Sequence, residues 1–222
     1  MKFFLLNMLL VVLIACRTNP KVQSSEQAAA VNTLPYYNGA DFMPLWLSTK
    51  DSSYRLLHTI PSFSFTDQDS LAVTENTFRN KIYVANFFFT TCPGICKRLT
   101  TNLVKVQNAL ERDTSVLLLS HSVTPETDNV ARLKQYAASF GVISGKWHLV
   151  TGNREQIYHL ARQAYFADED FGKQKTINDF LHTENVLLID KHKHIRGIYK
   201  GTSELEMQTL IHDISILEHE TF

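Results

Sequence analysis

Residues 82–89 read IYVANFFF, a run that is β-branched or aromatic almost throughout. Such a run suits a central strand covered on both faces, which requires a sheet with a layer on either side. It passes directly into Thr90-Thr91-Cys92-Pro93-Gly94-Ile95-Cys96, after which apolar residues at 95, 99, 103, 106 and 110 recur at helical spacing. Two cysteines therefore stand at the junction of a buried strand and a helix N-terminus. Positions i and i+4 of a helix lie on one side, so both sulfurs can reach one point. The spacing permits a disulfide, since an i,i+4 Cα separation of roughly 6 Å lies within bridging range. It equally permits two thiolates on one metal, and a helix N-terminus favours thiolate. A bridge closing so short a loop removes little chain entropy, which argues against a purely stabilising disulfide.

The rest of the chain supplies the layers. Residues 62–66 (SFSFT) alternate at period two, as a short half-buried strand does, and 67–70 make a turn. Residues 116–119 predict a second buried strand, followed by a loop over 120–126. Val130, Leu133, Tyr136 and Ala137 mark a helix ending near Gly141. A strand is expected at 147–150, a helix containing Ile157, Leu160 and Ala161, and a polar excursion over 168–179. Residues 185–189 and 195–199 read as strands joined by a hairpin turn at 190–194, and Leu205, Leu210, Ile214 and Leu217 as a closing helix. Residues 34–60 hold Pro35 and Pro44 as breakers and read as an irregular lead-in. The order predicts an α/β domain over 61–222, with a central mixed sheet flanked by helices. A strand feeding a cysteine-bearing helix, with a late hairpin, resembles the thioredoxin-like fold.

Ahead of the lead-in, Lys2 is followed by an apolar run from Phe3 to Ala15 broken only by Asn7. That run falls short of the roughly 20 residues a membrane span needs, so 1–15 reads as a signal peptide. It ends Leu13-Ile14-Ala15-Cys16, which resembles the lipobox of bacterial lipoproteins. The resemblance implies that Cys16 is acylated and becomes the first mature residue, with 16–33 as a flexible tether. The domain is then expected in the cell envelope, membrane-anchored by lipid and outside the cytoplasm, where disulfides persist. Composition agrees: 22 Lys+Arg balance 22 Asp+Glu, without the basic surplus of a nucleic-acid binder. Three cysteines are too few for a disulfide scaffold. One lipid site plus one redox-capable pair accounts for all three.

Four segments occur in the order seen in the Sco/SenC family: 91–96 (TCPGIC), 122–128 (SVTPETD), 147–152 (WHLVTG) and Leu181-His182-Thr183. The chain resembles that family over roughly 61–216. The resemblance implies a membrane-anchored, thioredoxin-like copper protein that helps assemble the binuclear copper centre of cytochrome c oxidase. It implies Cys92, Cys96 and His182 as the copper ligands, and a copper-accepting oxidase subunit and a thiol–disulfide reductant as partners. Two departures touch the surface of the site: Lys97 stands where family members often have proline, and Thr124-Pro125 where they usually have Asp-Pro.

Among nine histidines, position supports His182. If strand 185–189 runs antiparallel beside 82–89, its beginning lies where Cys92 emerges, and His182 sits just before it. His192 and His194, despite metal-like spacing, then lie at the opposite end. His121, following the neighbouring strand on the cysteine side, is the rival. His159, His212 and His219 read as helix surface or packing residues. Soft sulfur selects Cu(I), and the imidazole lets the site tolerate Cu(II) as well. Structural zinc prefers four closed ligands, and three are visible. The alternative is a thiol–disulfide oxidoreductase in which Cys92 attacks and Cys96 resolves, or a copper or redox sensor. General disulfide exchange is disfavoured: the spacing is CxxxC, and all six prolines precede residue 126, so none stands before strand 185–189.

Overall fold

The computed structural model describes residues 33–167, 180–181 and 183–220. The signal peptide, Cys16, the tether up to residue 32, the excursion 168–179 and His182 lie outside the described residues.

In chain order the strands are β1 (Tyr36–Tyr37), β2 (Pro44–Leu45), β3 (Ser64–Asp67), β4 (Ala72–Thr74) and β5 (Ile82–Phe88). They continue as β6 (Val116–Ser122), β7 (Trp147–Thr151), β8 (Asn185–Ile189) and β9 (Ile195–Lys200). The helices are α1 (Ile95–Ala109), α2 (Val130–Phe140), α3 (Arg154–His159) and α4 (Glu204–His219), α3 running on as a π-helical turn over Leu160–Ala164. Single 3₁₀ turns occupy Ser52–Leu56 and Glu75–Phe78.

Among the described residues the strands form one mixed sheet in the order β2-β1-β9-β8-β5-β6-β7-β3-β4. β5 lies at its centre, parallel to β6 and antiparallel to β8, and all seven of its residues are buried. Its alternation divides the molecule into two layers. Ile82, Val84 and Phe88 join Leu99, Leu103 and Val106 of α1, Leu133 of α2 and Leu210 and Ile214 of α4. Tyr83, Ala85 and Phe87 join Phe65 of β3 and Ile157, Leu160 and Ala161 of the α3 segment. The strand is apolar on both faces because it has helices on both. At the top of β9 the chain passes so close to α1 that a Cβ on Gly201 would lie 2.7 Å from Leu99, so only glycine fits.

The sheet departs from the sequence expectation in three places. β6 runs to Ser122, taking in three residues expected in a loop. Their polar side chains are buried by tertiary partners: Ser120 donates to Asn86 and accepts from the Trp147 indole, and Ser122 donates to Asp128. The three-residue β4 extends the edge beyond β3. The lead-in contributes β1 and β2 at the other edge, where Tyr37 pairs with Ile195. The antiparallel β5–β8 pairing and the turn between β8 and β9 stand as expected, with Asn86 opposite Val186.

Candidate functional site

β5 ends at Phe88, the chain turns through 89–94, and α1 begins at Ile95 with Gly94 at its N-cap and no side-chain cap. The first N–H groups of α1 are thereby left available to neighbouring sulfur. Cys92 and Cys96 are free thiols, each only 6% exposed, and the Cys92 N–H donates to the Phe89 carbonyl at 3.3 Å.

Burial acts on both thiols, with opposite net results. At Cys92 burial raises the pKa, but a hydrogen bond with the Cys96 thiol and backbone bonds from Cys96, Gly94 and Ile95 outweigh it and hold the group below the ordinary thiol value. At Cys96 burial, the bond to Cys92 and the charges of Cys92 and Asp128 push the thiol up to about 12. One sulfur is disposed to be thiolate and its neighbour keeps its proton. That asymmetry suits a nucleophile with a resolving partner, and equally a pair that gives up a proton to a soft metal ion.

Behind the pair lies a polar cluster with no exposed atom at its centre. Asp128 is fully buried. Its Oδ1 accepts from the Thr90 hydroxyl at 2.5 Å. Its Oδ2 accepts from the Thr90 N–H at 3.0 Å, the Ser122 hydroxyl at 2.6 Å and the Thr124 hydroxyl at 3.1 Å. Arg132 of α2 donates to the Thr90 hydroxyl at 3.1 Å, so that hydroxyl is committed as donor to Asp128. One carboxylate thus ties the segment entering Cys92 to the end of β6 and the loop beyond it. The motif 122–128 contained this residue, but nothing in its spacing gave it that role.

Phe89, Ile95, Cys96, Leu181 and Thr183 line a cavity of about 10 Å³, together with Phe87, Phe88 and Val123. A space of that size holds one small occupant, whereas sites for organic ligands run to roughly 300–1,000 Å³. Leu181 and Thr183 are the two neighbours of His182 in sequence, and both are buried. Among the described residues no third His, Cys, Asp or Glu joins the two cysteines in a cluster able to hold a metal ion.

Three other histidines are accounted for by their surroundings. His121 is fully buried on the sheet face opposite α1, stacked on Phe87 at 4.9 Å between ring centroids and edged by Phe65 at 5.6 Å. Neither ring nitrogen has a hydrogen-bond partner, and burial pushes its pKa down to about 3. The rival ligand therefore faces the aromatic layer, away from the cysteines. The reason is strand parity: β6 continues to Ser122, three residues past the expected end, so His121 points with Leu117 and Leu119. His148 is bonded to buried Asp67 at 2.8 Å. His194 donates to the His58 carbonyl at 2.9 Å, in the turn at the far end of the sheet.

A strand delivering a dithiol to a helix start in a mixed sheet defines a thioredoxin-like dithiol protein. The sequence model of SCO1/SenC matches residues 52–217, and the chain belongs to that family. The SCO1 protein homolog of Bacillus subtilis (strain 168) is 25% identical over 161 residues, covering 72% of this chain and 82% of the relative. The structure of a SCO1/SenC family lipoprotein from Bacillus anthracis str. Ames is similar at TM-score 0.63 and 27% identity, over 73% of this chain and 96% of that one. Bradyrhizobium japonicum ScoI, whose structure has copper bound, shares the fold at TM-score 0.57 and 23% identity, over 72% and 99%. Among the described residues no helix is long and apolar enough to cross a membrane.

Proposed function

We propose that this chain carries one copper ion on Cys92, Cys96 and His182 and passes it to, or prepares, the binuclear copper site of a respiratory cytochrome c oxidase. The observation that carries the reading is a reduced, asymmetric cysteine pair beside an ion-sized cavity whose wall includes both sequence neighbours of His182. Copper was bound in one relative of the same fold, and the Sco family is one of cytochrome c oxidase assembly proteins. Two thiolates and an imidazole suit Cu(I) and tolerate Cu(II), and an exchangeable three-ligand site can hand its ion on. Loading requires the dithiol form and releases the proton that Cys96 holds. Asp128 keeps the Thr90 segment, and with it Cys92, tied to the end of β6 throughout.

Anaerobic titration of the reduced protein with Cu(I) tests the assignment. One equivalent is expected to bind, with retention weakened in His182→Ala; unchanged affinity and spectrum in that variant would remove His182 from the site. A second reading, reduction of cysteines in a dedicated partner, is favoured by the split thiols, with Cys92 attacking and Cys96 resolving. Turnover of a generic disulfide at thioredoxin-like rates, with negligible copper retention, would promote it over the first. The anchor is part of the proposal: Cys16 is lipidated and holds the domain at the membrane outside the cytoplasm. Cys16→Ser is expected to abolish incorporation of labelled fatty acid.

A further inference from the structure

The charges around the cysteines are one-sided among the described residues. Lys97 and Arg98 directly follow Cys96, both exposed, in a first turn of α1 that contains no acidic residue. Cations there oppose the helix dipole, which favours anions at an N-terminus, so helix stability does not explain them. Neither forms an ion pair with a described residue; Glu204, whose carboxyl Arg98 helps hold low, is bonded to Lys105 at 2.9 Å. On the other flank exposed Arg132 reaches Thr90, two residues before Cys92. Among the described residues the carboxylates at this end are engaged: Asp128 is buried under four donors, Glu126 pairs with Arg154 at 3.4 Å, and Glu184 accepts from Thr202. The same end has an apolar centre: Ile95 and half-buried Phe89, which line the cavity with Cys96, and Phe180, which is 43% exposed and set edge-on to Phe89 at 5.2 Å. An apolar centre inside a charged rim is the anatomy of a protein docking surface.

We infer that the cysteine end of the domain selects anionic partners, docking a protein surface that presents carboxylates around the sulfur or metal group exchanged with Cys92. The inference rests on the reading that Cys92 and Cys96 are the exchanging groups, and it supplies what neutral overall charge does not: a local bias that steers and orients the encounter.

Two small disulfides of opposite charge test it: the dianion 5,5′-dithiobis(2-nitrobenzoate) and the dication cystamine. In each, the Cys92 thiolate attacks one sulfur, forming a mixed disulfide and expelling one thiolate. Cys96 then attacks the mixed disulfide, closing Cys92–Cys96 and expelling the second. The protein loses two electrons and two thiol protons, and the probe gains the electrons as two thiols. The full chain in non-ionic detergent, with Cys16→Ser so that only this pair reacts, is compared with Lys97→Glu/Arg98→Glu at low ionic strength. The double reversal is expected to slow the dianion and speed the dication, each about fivefold, from charges on the order of 8 Å away under partial screening. In the unreversed chain, added salt should slow the dianion and speed the dication, which needs no variant to fold. Lys191→Glu/Lys193→Glu, at the opposite end of the sheet, should change neither rate. Equal responses of the two probes to charge reversal, or none, would overturn the inference. A chain that binds no copper yet discriminates the probes would overturn the copper reading alone.

Discussion

The two ends of the sheet are built on opposite terms. At the hairpin end, the Arg196 side chain is fully buried and every face of it is used. It donates to Asp190 at 3.2 Å, to Glu220 at 2.8 Å and to the carbonyls of Leu34 and Pro35 at 2.6 and 3.1 Å, and it lies 3.9 Å over the Tyr36 ring. Asp190 in turn accepts from the N–H groups of His192 and His194. At the cysteine end the helix start has no side-chain cap, the thiols are split in proton affinity, and exposed cations lack ion-pair partners among the described residues. The closed end locks the lead-in to the sheet. The open end retains groups that can exchange. The histidines with metal-like spacing belong to the closed end, where their neighbours are already satisfied.

The contrast breaks if disturbing the closed end alters chemistry or disturbing the open end costs as much stability as disturbing the closed one. Arg196→Met should cost about 3–5 kcal/mol in urea unfolding at pH 7, since it strands Asp190 and two carbonyls, while the folded fraction keeps its copper stoichiometry. Cys92→Ser or Cys96→Ser should weaken copper retention in chelator competition at least ~100-fold, beyond the usual effect of losing an outer-shell partner, with stability changed by less than about 1 kcal/mol.

His121 gives a third test, in the aromatic layer between the ends. Its folded-state pKa of about 3 lies below the ordinary 6.5, so the unfolded chain takes up the proton first. The stability this residue contributes is complete above pH 6.5 and is lost as pH falls toward 3. Unfolding free energy should drop by about 2 kcal/mol between pH 7 and pH 5 from this group, and His121→Phe should abolish that portion. The smallest effect is expected at Thr124→Val, which removes the longest of the four bonds to Asp128: about 1 kcal/mol of stability, with copper stoichiometry intact.

What the sequence made legible was periodic or punctuated. β5 announced itself because a strand between two helical layers is apolar at odd and even positions alike. α1 followed from 3.6-residue spacing, the end of α2 from Gly141, whose φ of +71° favours glycine, and the β8–β9 turn from its polar run. The position of the cysteines needed only the junction of strand and helix. The end of β6 was hidden because Ser120, His121 and Ser122 look like loop residues until Trp147, the aromatic layer and Asp128 bury them. Asp128 itself was hidden because two of its four donors come from Thr90, 38 residues away in sequence, and Arg196 because a buried cation shows no pattern in one dimension. The cationic rim was visible only as Lys97 departing from a family habit; which acids were free to neutralise it required the fold.

The central claim is that copper sits on two sulfurs and one imidazole nitrogen at the open end of the sheet. X-ray absorption of the copper-loaded, reduced protein reads those donors directly. Two sulfur scatterers and one imidazole are expected, with the imidazole lost in His182→Ala and one sulfur lost in Cys96→Ser. A shell of nitrogen and oxygen alone, or one unchanged by either substitution, would contradict it.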